Sequence, residues 1–261
     1  MKGSRKIGVL ATLGIAAALF FTGCGGEEKS GGEGNGPTAT IVSDLPLQGS
    51  ARARQETIAN AITLALEERN YMAGEVQIEY VSQDDATAQA GKWDEARCAE
   101  NAQSAAQNEE VVGWIGPYNS GCAAIEIPIL NQAGLAMVSH GNTAVGLTKP
   151  SGEPGEPEQY YPTGNRNYTR VIVTDDKQAR AAASWMREQG IQTVYLLDDR
   201  ETFGVGLADQ LQRSAEASGI QVLGREGIDG SAPNYRSLME RIAPLQPDAI
   251  YFAGVTDNNA G

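Results

Sequence analysis

From Thr38 onward, short runs of β-branched and apolar residues alternate with longer segments whose apolar positions recur every three to four residues. In residues 51–70, Ile58, Ile62 and Leu66 fall on one helical face. Strand and helix in series are typical of a parallel sheet covered by helices on both faces, so the pattern predicts an α/β fold. The predicted strands are 38–42, 76–81, 111–115 and 136–139, and the predicted helices are 51–70, 88–108 and 121–132.

A break in this pattern divides the chain in two. Residues 141–169 contain four prolines and several glycines, which predicts a long loop. We therefore predict two α/β lobes, residues 38–170 and 175–261, joined by a hinge at 171–174. We also expect the second lobe to be truncated, because the sequence stops soon after its last strand, and we expect weak ligand binding or low stability from the 261-residue product. The second series is predicted as strands 170–173, 193–197, 221–225 and 249–252, with helices 177–189, 204–218 and 235–243.

The amino terminus has the features of an export signal. Three basic residues precede an uncharged run, residues 7–21, that is too short to span a bilayer. The sequence Phe21-Thr22-Gly23-Cys24 resembles the lipobox of bacterial lipoproteins, although that motif usually has leucine where Phe21 stands. This resemblance implies a signal peptide at 1–23, a lipid on Cys24, a flexible tether at 24–37 and attachment to the bacterial cell membrane. An ordinary cleaved signal with an incidental Cys24 is the alternative, and both place the protein outside the cytoplasm.

The charge of the chain narrows the range of partners. The sequence has 33 acidic and 20 basic residues and a net charge of −13. Loss of residues 1–23 removes three basic residues and no acidic one, which changes the net charge to −16. A surface this acidic repels phosphate groups, so we expect neither nucleic acid nor an anionic membrane surface as a partner.

The other two cysteines, Cys98 and Cys122, form an even pair, as an exported protein allows. A disulfide between them is one prediction, and two buried free thiols are the alternative. The sequence has no CxxC motif and a single histidine, so we expect no metal site. It also lacks a dinucleotide fingerprint and a phosphate-binding loop, so we expect no cofactor.

Candidate ligand-binding segments follow the third and fourth predicted strands, where open α/β sheets bind ligands. The first is 116–122, in which Ser120 and Gly121 open a helix whose free N–H groups suit a carboxylate. The second is 139–143, which is small and polar. Asn119 and Ser120 acting as helix caps alone is the alternative interpretation. In the second lobe, Phe203 either walls a ligand or serves as a hydrophobic staple.

An enzymatic interpretation is also open. Ser120 and His140 follow neighbouring predicted strands, which allows a Ser–His hydrolase with Asp44 orienting the histidine. A single histidine beside a cleft more often faces solvent or supports a neighbour, so the sequence favours a binding protein over an enzyme.

The segment 111–148, VVGWIGPYNSGCAAIEIPILNQAGLAMVSHGNTAVGLT, resembles the substrate-binding lipoproteins of branched-chain amino acid ABC transporters. These are the leucine/isoleucine/valine-binding proteins of the type I periplasmic binding protein fold. RVIVTDD at 170–176, LLDDRETFGVGLA at 196–208 and PDAIYFAGVTDN at 247–258 extend the resemblance. It implies a two-lobed protein that captures a branched-chain or related amino acid and delivers it to an ABC permease.

The resemblance also implies a set of ligand contacts. Tyr118 and Ser120 would line the first-lobe wall, and Gly141, Asn142 and Thr143 would hold the ammonium and carboxylate of the ligand. Phe203 stands where the family commonly has a tyrosine that packs on the ligand, so the hydroxyl of that tyrosine is missing and the resemblance leaves the identity of the ligand open. Thr256 and Asp257 would face the cleft from the second lobe. Cys98 and Cys122 differ from the better-known disulfide pattern of the family.

Two questions stay open at this stage. The same fold holds leucine, short amides, urea or aromatic acids in different proteins, so fold does not determine the ligand. A ligand-sensing protein that signals to a receptor without transport is the alternative to an importer component.

Overall fold

A computed structural model describes residues 36–256. The predicted signal peptide, Cys24, most of the tether and Asp257 lie outside the described residues. The helices are α1 (Arg52–Glu67), α2 (Glu95–Ala106), α3 (Ser120–Gln132), α4 (Asp175–Glu188), α5 (Thr202–Ala217) and α6 (Arg236–Ile242). The strands are β1 (Thr38–Leu45), β2 (Met72–Ala73), β3 (Val76–Asp84), β4 (Ala86–Thr87), β5 (Lys92–Trp93), β6 (Val111–Ile115), β7 (Ala136–Ser139), β8 (Tyr168–Arg170), β9 (Thr193–Asp198), β10 (Gln221–Gly227) and β11 (Ala249–Ala253).

Two mainly parallel sheets define two lobes, which confirms the predicted α/β architecture. The first sheet has the order β2-β3-β1-β6-β7-β8, and β2 is its antiparallel member. The second sheet has the order β10-β9-β11 and is parallel throughout. A separate antiparallel pair, β4 and β5, lies between β3 and α2 in the chain.

Each sheet has its own apolar core, as the alternating pattern of the sequence requires. In the first lobe, Trp114 of β6 packs with Ile127 and Leu130 of α3, all of them buried. In the second lobe, Leu196 of β9 packs with Leu207 and Leu211 of α5. Burial of such side chains stabilises each lobe by about 1.5–3 kcal/mol per residue.

A disulfide joins two of the helices of the first lobe, α2 and α3. Cys98 of α2 and Cys122 of α3 are bonded, at a sequence separation of 24 residues. This finding confirms the predicted pair and excludes the alternative of two free thiols. Because Cys122 lies in the first turn of α3, the bond ties the amino terminus of that helix to α2.

The predicted strand 170–173 is wrong. The strand at this point is β8, which pairs with β7 and therefore completes the first sheet. Val171 and Val173 follow it with 78% and 61% of their surface exposed. Three consecutive β-branched residues suggested a strand, but β propensity depends on a partner strand and a covering layer, which these residues lack.

The predicted helix 88–108 is too long at its amino end. Residues 86–93 contain the hairpin strands β4 and β5, and α2 begins only at Glu95. Asp94 sets this boundary, because its side chain accepts a hydrogen bond from the backbone N–H of Arg97 at 3.1 Å. The long loop predicted at 141–169 is also interrupted, by two single-turn helices at Val145–Leu147 and Glu158–Tyr160.

Two acidic side chains lie near the carboxyl ends of strands in the first sheet. Asp44 is within β1 and Asp84 within β3. The Asp84 carboxylate accepts hydrogen bonds from Leu47 N at 2.8 Å and from Gln48 Nε2 at 2.8 Å, so it holds the loop that follows β1. Among the described helices, none is long and apolar enough to cross a membrane.

Candidate functional site

A cavity of about 290 Å³ opens between the two lobes, where strands of the first sheet end. Its polar floor comes from the loops after β6 and β7, and α1 contributes one edge. The residues that line it are Arg54, Tyr118, Asn119, Ser120, Gly121, His140, Gly141, Thr143, Ile172, Gln178, Glu201, Phe203 and Val255.

The turn after β6 is shaped by a glycine. Gly116 has φ of +124°, and a Cβ there would lie 2.3 Å from the carbonyl oxygen of Asp44. Only glycine permits this close approach. The turn delivers the chain to Ser120, where α3 begins as predicted. The side chain of Asn119 makes no capping hydrogen bond, so the first N–H groups of α3 remain able to bind a carboxylate.

The loop after β7 is held by its own polar side chains. Ser139 Oγ accepts hydrogen bonds from the backbone N–H of Gly141 at 3.1 Å and of Asn142 at 3.0 Å, and donates one to the Pro117 carbonyl at 2.9 Å. Asn142 Nδ2 donates to the Tyr118 carbonyl at 2.9 Å. The loops after β6 and β7 are therefore fastened to each other, which fixes the cavity floor.

Packing at Gly141 is equally close. A Cβ at this position would lie 2.6 Å from the ring of Tyr118, so the residue must be small. Thr143 follows, buried but lining the cavity. Ser120 Oγ accepts a hydrogen bond from the backbone N–H of Ala144 at 3.3 Å, which links the start of α3 to this second loop.

One wall of the cavity is a connected set of polar side chains. Arg54 Nη1 donates to Tyr118 Oη at 3.0 Å, and the Tyr118 ring stacks on His140 with centroids 6.0 Å apart. His140 Nε2 lies 3.1 Å from Oε1 of the buried Gln55. Burial lowers the pKa of His140, so its imidazole is neutral near pH 7. The buried Nδ1 of His140 and Nε2 of Gln55 have no hydrogen-bond partner among the described residues, a cost that a polar ligand nearby would reduce.

The second lobe closes the opposite side. Phe203 and Glu201, at the start of α5, both line the cavity. The Glu201 carboxylate accepts from Lys92 Nζ at 2.5 Å and from Trp93 Nε1 at 3.0 Å, so β5 of the hairpin binds the second lobe directly. A Cβ on Gly121 would lie 2.5 Å from Trp93 and 3.4 Å from Thr202 Oγ1. The amino termini of α3 and α5 therefore approach each other beside the cavity.

The structure brings together some of the residues expected from the sequence. Tyr118, Ser120, Gly141, Thr143 and Phe203 all line the cavity. Asn142 is fully buried behind it, where its side chain bonds Tyr118 and Tyr168. Thr256 lines a different cavity, of about 610 Å³, with Ser50 and Arg200 among its neighbours. Asp257 lies outside the described residues.

Several lining residues had no distinguishing signal in the sequence. Arg54 and Gln178 lie on α1 and α4, within ordinary charged helical faces. Ile172 belongs to the segment predicted as a strand, and Glu201 directly precedes α5. These side chains reach the cavity because of how the two lobes pack together, and the local pattern of hydrophobic and polar residues contains no information about that packing.

Asp44 belongs to a buried acidic cluster beneath the site. Its Oδ1 accepts from Asn101 Nδ2 at 2.8 Å, and burial raises the pKa of Asp44 to about 6. Glu126 is also fully buried, its Oε2 accepts from Trp114 Nε1 at 2.9 Å, and burial raises the pKa of Glu126 well above its usual value. A neutral Glu126 can then share a proton with Asp44.

The contacts of His140 do not fit the hydrolase alternative. Its Nε2 pairs with Gln55 and its Nδ1 has no partner among residues 36–256, so neither nitrogen bonds Ser120 Oγ. Asp44, the acid this mechanism requires, is engaged with Asn101 in the core. Within residues 36–256, two groups of side chains have metal-ligand spacing, and both include Cys122. The disulfide removes this thiolate, so these groups lack a sulfur ligand.

Curated proteins with related sequences are amino-acid-binding proteins. The Leu/Ile/Val-binding protein BraC3 of Rhizobium johnstonii is 27% identical over 223 residues, which cover 82% of this chain and 54% of the relative. The leucine-, isoleucine-, valine-, threonine-, and alanine-binding protein of Pseudomonas aeruginosa is 23% identical over 148 residues, 56% of this chain and 36% of the relative. The chain thus spans about half, or less, of the length of these relatives.

Solved structures share the fold. The leucine binding protein of Thermotoga maritima superposes with a TM-score of 0.68 at 23% identity, covering 82% of this chain and 55% of that one. A solute binding protein of an ABC transporter from R. palustris, in complex with 4-hydroxybenzoate, gives 0.69 at 18% identity, with 82% and 53% covered. Two α/β lobes, a polar cavity between them and a family model that matches residues 40–261 agree, and the chain belongs to the periplasmic binding protein family.

Proposed function

We propose that this protein is the extracytoplasmic substrate-binding component of an ABC importer and captures a branched-chain or related amino acid between its lobes. The single observation that carries the proposal is the cavity between the sheets, whose floor combines the amino terminus of α3 with Ser120 and Thr143. The relatives named for leucine, isoleucine and valine binding support the ligand class.

The geometry supports binding of a carboxylate at this floor. The free N–H groups of α3 and its helix dipole favour an anion, and the hydroxyls of Ser120 and Thr143 are close enough to the cavity to add hydrogen bonds. Such groups offset the desolvation of a small zwitterion. In this proposal the contacts come from Tyr118, Ser120, Gly141, Thr143 and Phe203, with Asn142 positioning the loop. Thr256, which lines the neighbouring cavity of about 610 Å³, and Asp257 would join them from the second lobe when the lobes close around the ligand.

The lobes we propose are residues 38–170 and 175–261, and the hinge is 171–174. Support comes from β8, which belongs to the first sheet and ends at Arg170, and from α4, which begins at Asp175. The exposed Val171 and Val173 between them make few contacts that would resist bending. Closure of the lobes around the ligand would then present both to the permease.

Lipidation at Cys24 and a flexible tether at 24–37 complete the proposal. A protein held at the membrane in this way stays near its permease, and its acidic surface keeps it from adhering to anionic lipid. We expect no chemical conversion of the ligand.

Isothermal titration calorimetry on the full-length gene product with Cys24→Ser tests the proposal. Thr143→Val removes one hydroxyl from the cavity floor and should weaken amino-acid binding by about 5- to 10-fold, as the loss of one hydrogen bond does. Thr57→Val, on the exposed face of α1, is the matched control and should leave affinity unchanged. Equal affinities for all three proteins would place the ligand elsewhere.

A further inference from the structure

Arg54 is the basic residue among those that line the cavity, and its charge has no acidic partner within residues 36–256. Its Nη1 donates a hydrogen bond to Tyr118 Oη, 3.0 Å away. Arg52, two residues earlier on α1, shows the contrast because its Nε forms an ion pair with Glu56 at 2.6 Å. Arg54 therefore faces the cavity without an ion-pair partner among the described residues, in a chain with 33 acidic residues.

Glu201, the acidic residue among the described residues that line the cavity, does not compensate the charge of Arg54. Glu201 is bound by Lys92 and by Trp93, and the ion pair with Lys92 already neutralises its charge. His140 is neutral because burial lowers its pKa. With Glu201 paired to Lys92, the charge of Arg54 is uncompensated among the described residues that line the cavity, and the dipole of α3 adds to its effect.

We propose that Arg54 is a specificity-determining residue that binds a second anionic group on the ligand, so that the preferred ligand is an acidic amino acid. The α-carboxylate occupies the start of α3, and the side-chain carboxylate reaches Arg54. The inference rests on the proposed capture of an amino acid in this cavity, and it replaces the branched-chain side chain of that proposal with an acidic one.

The contact with Tyr118 explains how Arg54 performs this role. A guanidinium has five N–H donors, and Tyr118 accepts one of them. The remaining donors can form a bidentate pair with a carboxylate, the geometry that arginine favours. Tyr118 in turn stacks on His140, so the guanidinium is held by a side chain that is itself fixed. An aliphatic side chain at this point would desolvate the guanidinium without replacing its hydrogen bonds.

Titration calorimetry on the full-length gene product tests this inference with glutamate, aspartate, glutamine, leucine, isoleucine and valine. We expect the acidic amino acids to bind at least about 10-fold tighter than leucine, as a charged hydrogen bond provides. Arg54→Gln should weaken glutamate binding by about 10- to 100-fold, and by a clearly larger factor than it weakens leucine binding. Arg54→Lys should restore part of the loss, and Arg52→Gln is the control that should change neither.

The outcomes separate this inference from the function on which it rests. If leucine, isoleucine or valine binds tighter than glutamate and aspartate, the role of Arg54 is refuted while amino-acid binding stands. The same holds if Arg54→Gln weakens leucine and glutamate equally. Failure of every amino acid to bind would overturn both.

Discussion

Removal of the disulfide between Cys98 and Cys122 should destabilise the first lobe by an amount set by the length of the loop it closes. The change is the double variant Cys98→Ala/Cys122→Ala, which leaves two small apolar side chains at buried positions. A separation of 24 residues gives about 3.5 kcal/mol at 25 °C in the chain-entropy description of the unfolded state. For a domain of this size, that loss lowers the melting temperature by about 7–14 °C.

Urea unfolding followed by circular dichroism measures this difference directly. The oxidised wild type and the double variant are compared, and the wild type in excess reductant is the control that should match the variant. Because the bond also anchors the first turn of α3, ligand affinity should fall together with stability if that turn loosens. A loss below about 1 kcal/mol, or a reduced wild type as stable as the oxidised one, would refute the reasoning.

Other predictions concern charge, packing and the contact between the lobes. Burial raises the pKa of Asp44 from 3.8 to about 6. The contribution of Asp44 to the free energy of unfolding is therefore most favourable below pH 3.8, and it is lost as the pH rises through 6. Relative to Asp44→Asn, the wild type should therefore lose about 3 kcal/mol between about pH 4 and pH 7 in urea titrations, and a constant difference would contradict this. Leu211→Ala, in the buried core of the second lobe, should cost about 2–5 kcal/mol in the same assay, whereas Leu64→Ala on the exposed face of α1 should cost less than about 1. Lys92→Met should remove the ion pair to Glu201 and weaken ligand binding by about 3- to 10-fold in calorimetry, and an unchanged affinity would show that this pair does not hold the closed lobes.

The periodicity of hydrophobic residues was sufficient to predict the helices and strands whose sequences have a strong internal pattern. The bounds of β6 and β7 match the predicted strands, and α3 starts within one residue of its predicted position. These elements are apolar and have clear polar boundaries, so local sequence and tertiary packing agree.

The errors arose where a local pattern competed with tertiary context. Val171–Val173 have the residue types of a strand but no neighbour to pair with beyond Arg170. Residues 86–93 are small and polar enough to continue a helix, yet they form a hairpin because Trp93 and Lys92 bind Glu201 of the second lobe. A contact over 108 residues of sequence separation has no local signal.

The candidate site was predictable at its floor and not at its walls. Ser120, Gly141 and Thr143 follow strands of one sheet, so topology alone brings them together. Arg54 and Gln178 face the cavity from helix surfaces, where the same residue types are usually solvated. Their role depends on the angle between the lobes, which only the folded chain determines.

Thermal unfolding of the full-length Cys24→Ser protein with each of the twenty amino acids tests the central claim most directly. At about 100 times its dissociation constant, a true ligand should stabilise the folded state by about 2.7 kcal/mol and raise the melting temperature by several degrees. We predict such a shift for at least one amino acid, and its loss when Thr143→Val is combined with Ser120→Ala. A cooperative transition that no amino acid shifts would contradict the account.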